Sequence, residues 1–157
     1  MKKKFPLLLL TLFLAGAFYN LWTLRPVKVL HASSDGYGDV ELVVTHMPWT
    51  DMEKISWFIL NREDIRAKYP LFPDVWHRYY ITDIGDGFTN NKISPHEDLR
   101  CFSEIQNDKN CIVKNYLLVV DEYPDRYPRF SLSEGNFEYQ LTPESKIEAV
   151  PPPEGWR

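Results

Sequence analysis

Residues 50–70, TDMEKISWFILNREDIRAKYP, decide the fold. Thr50-Asp51-Met52-Glu53 has the form of a capping box, in which the Thr50 hydroxyl and the Glu53 carboxylate each satisfy an orphan amide of a first helical turn. Met52, Ile55, Phe58 and Ile59 then recur at three- and four-residue spacing, and Ile65 extends the same face. Pro70 disfavours helical geometry in the residue before it, so the helix is expected to stop by Tyr69.

The segments around this helix read as strands. Val27-Lys28-Val29-Leu30 and Val40-Glu41-Leu42-Val43-Val44 are short β-branched runs separated by turn material from Ser33 to Asp39, which predicts a hairpin before the helix. After it, Val75 to Thr82 is rich in aromatic residues and ends at Gly85-Asp86-Gly87. Leu99 to Ile105 is ambiguous, whereas Ile112 to Asp121 is a convincing strand. Arg129 to Leu132 and Phe137 to Leu141, joined by Ser133-Glu134-Gly135-Asn136, predict a closing hairpin. Pro151-Pro152-Pro153-Glu154-Gly155 cannot continue a sheet. The expected architecture is α+β: a small, mostly meandering antiparallel sheet with one principal helix packed on it.

The amino terminus is of another kind. Three lysines, Lys2 to Lys4, precede an uncharged run from Phe5 to Leu24, and Arg25-Pro26 follows. As a helix this run spans about 30 Å, the thickness of a bilayer's hydrocarbon core. Tyr19 and Trp22 suit the far interface, although Asn20 lowers the hydrophobicity. The preferred reading is a single uncleaved signal-anchor helix with its amino terminus cytoplasmic. In the competing reading Pro6 to Leu14 is the core of a signal peptide cleaved after Ala17. The division of the chain is then an anchor over 1–25, an exported α+β domain over 26–150 and a proline-rich tail over 151–157.

Charge and cysteines restrict the partners. Removing Lys2 to Lys4 from the 18 basic residues leaves 15 against 22 acidic ones, a formal charge of −7, and no basic stripe interrupts it. Nucleic acid is excluded as a partner on these grounds. Only Cys101 and Cys111 occur, with nine residues between them and on the exported side, and an even pair there is most simply a disulfide. A redox pair would want closer spacing. A metal site with His96 would need further ligands.

Each remaining constellation has an ordinary competitor. Asp83-Ile84-Gly85-Asp86-Gly87 begins like a calcium loop, but the ligands that should follow at alternate positions are missing, so it reads as a glycine turn. Asp121-Glu122-Tyr123-Pro124-Asp125 offers carboxylates for glycoside hydrolysis, yet a solvated strand end is the simpler reading. His31, His46, His77 and His96 are dispersed, and nucleophile elbows and phosphate loops are absent. No enzyme, metal or cofactor is read from the chain. Aromatics are plentiful beyond the apolar run, Trp49, Trp57, Trp76 and Trp156 with many Tyr and Phe, and in a small domain most of them should fill the core. The strand from Val75 is the exception: alternation sets Trp76, Arg78 and Tyr80 on one face against His77, Tyr79 and Ile81 on the other, so the first trio is the candidate binding face.

Several landmarks resemble one known family. Arg25-Pro26-Val27, His31, Pro48 with Thr50-Asp51, Lys54-Ile55 and Trp57, Lys68-Tyr69, Gly85-Asp86-Gly87, Leu99 with Cys101-Phe102, and Asn110-Cys111-Ile112 with Lys114-Asn115 are similar to the enterobacterial putative membrane proteins of domain of unknown function 943. The similarity runs from the lysines to about Asp121 and more loosely beyond. Phe58 departs from it, standing where a second tryptophan is expected after Trp57. The resemblance implies a single-pass inner-membrane protein of a Gram-negative bacterium with a periplasmic domain, and brings no activity, cofactor or catalytic residue.

Three functions remain open. The first is a membrane-tethered interaction protein that captures a periplasmic protein, for instance protectively, as an immunity protein captures a toxin, by its acidic face or a sheet edge. The second is a cell-wall or glycan-binding module using Trp76 and its neighbours. The third is a hydrolase with a scattered acid pair.

Overall fold

The computed structural model describes residues 4–132 and 138–151. Helix α1 runs over Lys4–Thr23. Inside it Thr11 and Asn20 turn their polar groups back onto the carbonyls of Leu8 and Gly16, at 2.8 and 2.9 Å, while Leu7 to Leu10, Phe13 and Phe18 are exposed. Among the described residues no helix is long and apolar enough to cross a membrane. Lys2, Lys3, the expected turn at 133–136 and the tail from 152, with Trp156, lie outside the described residues.

The predicted first hairpin forms as β1 (Val29–Ser34) and β2 (Asp39–Val44). Its turn is tighter than expected, because the Asp35 carboxylate gathers the amides of Tyr37, Gly38 and Asp39 at 2.8 to 3.0 Å and leaves Ser33 and Ser34 in the strand. Helix α2 (Asp51–Lys68) carries the complete capping box at Thr50 and Glu53. It ends as Pro70 requires, with the Tyr69 amide donating to the Ile65 carbonyl.

One pairing departs from the antiparallel expectation. Strand β3 (His77–Asp83) lies beside β2 in parallel, Asp39 against Arg78 and Val44 against Asp83. Parallel neighbours need a long crossover, and α2 supplies it. The long strand expected from Ile112 to Asp121 is two strands. β4 (Leu99–Cys101) and β5 (Cys111–Val113) form a separate ribbon, and β6 (Tyr116–Tyr123) joins the main sheet. The chain changes sheets at Lys114 and Asn115, whose backbones bond to Asp98 and Asp83. Strand β7 (Arg126–Leu132) pairs with β8 (Glu138–Leu141), as the predicted closing hairpin requires. A further strand, β9 (Ile147–Val150), pairs with β8 after a turn in which Ser145 has φ 60°. Its short Ile-Glu-Ala-Val run carried too little β-signal to be expected from sequence. The seven strands lie in the order β1-β2-β3-β6-β7-β8-β9.

The main core lies between this sheet and α2. Ile55, Phe58 and Ile65 of the helix pack with Val40, Leu42, Tyr79, Ile81, Leu118, Val120 and Phe130, and the Phe58 ring lies 5.1 Å from that of Tyr79. Phe58 is a core position. On the other face Val43 packs with Phe102 and Ile112, which brings the β4–β5 ribbon over the β2 margin. Cys101 and Cys111 stand opposite each other in that ribbon and are joined by a disulfide.

Candidate interaction face of the sheet

Because strand side chains alternate, the sheet face away from α2 is assembled from every second residue. The pairing registers line up two rows across it. One is Asp39, Arg78, Asp121, Arg129, Gln140 and Glu148, and the other is Glu41, Tyr80, Val119, Ser131 and Glu138. Opposite charges therefore stand side by side along the first row. A bidentate pair at its centre organises the rest.

Arg78 donates from Nε to Oδ1 of Asp121 at 2.6 Å and from Nη2 to Oδ2 at 3.1 Å. The Trp76 indole N–H donates to the same Oδ1 at 3.1 Å. The Arg78 guanidinium lies 4.4 Å from the Trp76 ring centroid and 5.9 Å from that of Tyr80, so the cation faces both rings' electron density. The hydrogen bond to Asp121 raises the Arg78 pKa further, against the opposing effect of burial. Trp76 stacks on Tyr123 with centroids 6.3 Å apart, Tyr80 meets Tyr116 at 5.1 Å, and Arg126 covers Tyr123 at 4.9 Å. The result is a continuous ladder of rings and guanidiniums. Arg100 at the ribbon end donates to the nearly buried Glu41 at 2.5 Å.

Trp76, Arg78 and Tyr80 therefore do share one face, as alternation predicts, and Tyr79 and Ile81 lie in the core. Trp76 remains 41% exposed. What alternation alone missed is the set of neighbours from other strands: Asp39, Tyr116, Asp121 and Tyr123. Their only sequence signal is their own alternation, which says nothing about which strand lies beside which.

The solvated strand end expected at Asp121 to Asp125 holds for Pro124 and Asp125 and is corrected for the first two residues. Asp121 and Glu122 are both buried and both ion-paired. Adjacent in a strand, they point to opposite faces: Asp121 to Arg78, and Glu122 to Arg62 and Arg66 of α2, the latter at 2.6 Å. They do not face each other across a cleft. Of the other sequence candidates, Asp83 accepts the Gly85 amide at 2.6 Å in a turn where Gly85 and Gly87 have φ 53° and 104°. Among the described residues no three His, Cys, Asp or Glu side chains group to hold a metal. His31 meets Glu104 at 3.1 Å and His77 meets the Phe72 carbonyl at 2.8 Å, in separate places.

No curated protein and no solved structure matches the chain. A family model does, over residues 2–150, and it takes in the ribbon with its disulfide, the capped helix and the whole ladder. The chain belongs to the family described as enterobacterial putative membrane protein, domain of unknown function 943.

Proposed function

We propose that this is a membrane-tethered binding protein whose domain presents the Trp76–Arg78–Tyr80 face to a periplasmic protein. The observation that carries the reading is the ladder itself: an exposed Trp76 and a half-buried Tyr80 held by a bidentate Arg78–Asp121 pair, on a sheet face that α2 leaves open. Aromatic and arginine side chains fixed in place lose little entropy on binding, which is why such groups dominate protein interfaces. Tethering is supported by the helical Lys4–Thr23 segment, whose leucines, Phe13 and Phe18 are exposed, and by the family's description. The lysines before it and the disulfide after it favour a cytoplasmic amino terminus and an oxidising compartment for the domain.

A photo-crosslinking amino acid placed at Tyr80 in the full chain, in its native membrane, tests this. A discrete adduct at Tyr80 that is missing when the probe stands at Leu60, exposed on α2, is the expected result. Equal labelling at both positions, or none, would refute the reading.

A further inference from the structure

The end of the sheet where β2 and β3 begin carries three exposed rings: Tyr37, Phe72 and Trp76, at 62, 58 and 41%. The fold draws their segments together there. The Phe72 amide donates to the Tyr37 carbonyl at 3.2 Å, the Arg78 amide donates to the Gly38 carbonyl at 2.8 Å, and the Tyr37 and Phe72 rings lie 5.6 Å apart. Gly38 permits the approach, since a Cβ there would stand 2.9 Å from the Trp76 carbonyl oxygen. So much aromatic surface in water is unfavourable unless something covers it.

The charges around these rings say what that is. Asp35 and Asp39 flank Tyr37, and Asp74 lies between Phe72 and Trp76. The nearby cations are already engaged: Arg78 by Asp121, Arg62 and Arg66 by Glu122, and Arg126 by Asp125. Asp35, Asp39 and Asp74 form no ion pair among the described residues. Asp35 is occupied with the backbone of its turn, so Asp39 is the carboxylate best placed to meet a cation from outside. Arg78 shows the mode within the molecule, a guanidinium lying over Trp76 while a carboxylate holds it. The same guanidinium covers a face of Trp76 that a sugar ring would need for stacking.

Resting on the reading of this domain as a binding module, we propose that the aromatic end docks a basic segment of its partner protein. Lysine or arginine side chains of that segment lie along Tyr37 and Phe72, beside the covered Trp76, and pair with Asp39. The domain's acidic balance draws the segment in, and the rings fix where it stops.

The test uses the full chain in detergent micelles with a deca-lysine peptide, a deca-glutamate peptide and an N-acetylglucosamine tetramer as probes, at low salt. Binding of the lysine peptide alone is expected. Asp39→Asn and the pair Tyr37→Ala/Phe72→Ala should each weaken it by about tenfold, the equivalent of about 1.4 kcal/mol. All three side chains are exposed, and circular dichroism checks that the variants fold. Glu144→Gln, which removes the same charge from a turn far along the chain, should change binding by less than about twofold if contact rather than diffuse attraction holds the peptide. Equal loss in Glu144→Gln, no effect of the ring variants, or binding of the sugar in place of the peptide would each overturn the proposal. If the lysine peptide fails while crosslinks at Tyr80 persist, the basic partner is refuted and the binding module stands. If the crosslinks fail too, both fall.

Discussion

At the scale of single residues, Asp39 carries the clearest tension between stability and binding. Burial pushes its carboxyl pKa up from 3.8, Asp35 and Asp121 add to the shift, and Arg78 opposes it. A raised folded-state pKa means that the folded protein holds this proton more tightly than the unfolded chain. The resulting stability is present below 3.8 and lost as pH rises through the folded value. Asp39→Asn cannot ionise, so it should be more stable than the natural protein at pH 7 and equal to it at pH 3. The carboxyl keeps contact with water, so solvent screening keeps the gain small. Thermal denaturation of both proteins at the two pH values measures it, and a variant less stable at pH 7 would contradict the assignment. A residue kept at a small loss in stability while it weakens binding when changed is the pattern of a functional position.

At the scale of elements, two connections hold the architecture. The β4–β5 ribbon has only three residues in each strand, too few to stand without its disulfide and its packing on Val43. Replacing Cys101 and Cys111 together with serine should cost about 2–3 kcal/mol in urea denaturation. The loss should appear first in the ribbon, as faster amide exchange at Thr89, whose amide donates to the carbonyl of position 111. The second connection ties α2 to β6 through Glu122, which is 4% exposed, while its partners Arg62 and Arg66 are 30 and 37% exposed by side chain. Exposure makes the pair asymmetric. Arg62→Ala with Arg66→Ala strands a buried carboxylate and should cost about 3–5 kcal/mol, whereas Glu122→Gln leaves guanidiniums that water can reach and should cost clearly less. Chemical denaturation of the two variants decides it, and the reverse order would show that the arginines, not the glutamate, carry the buried charge.

On the scale of the whole molecule, α1 and the domain make different demands on their surroundings. The helix exposes leucine and phenylalanine over several turns, and the domain carries a charge of −7 beyond the lysines of an 18 to 22 balance. If α1 is the retained anchor proposed above, intact-mass analysis of membrane-extracted protein should find the full amino terminus, and alkaline carbonate should leave the protein with the membrane. A mature chain beginning at Phe18 would overturn the anchor. The β1–β2 turn that bears Tyr37 follows the end of β1 remote in sequence from α1.

Much of this was local and so legible in the chain. The capping box, the apolar stripe of α2, the stop before Pro70 and the alternation of Trp76, Arg78 and Tyr80 depend on residues within a few positions of one another, and short-range geometry determines them. The tertiary structure alone decided which strands become neighbours. β2 lies parallel to β3, the run from Ile112 breaks so that its two parts enter different sheets, and β9 forms because β8 offers it an edge. Those choices set Asp121 under Arg78 and Trp76, and they make Asp121 and Glu122, which read as part of a solvated acidic strand end, buried and ion-paired carboxylates on opposite faces. The reason is physical: alternation tells each side chain which way to point, but only pairing with distant strands tells it what it will meet there.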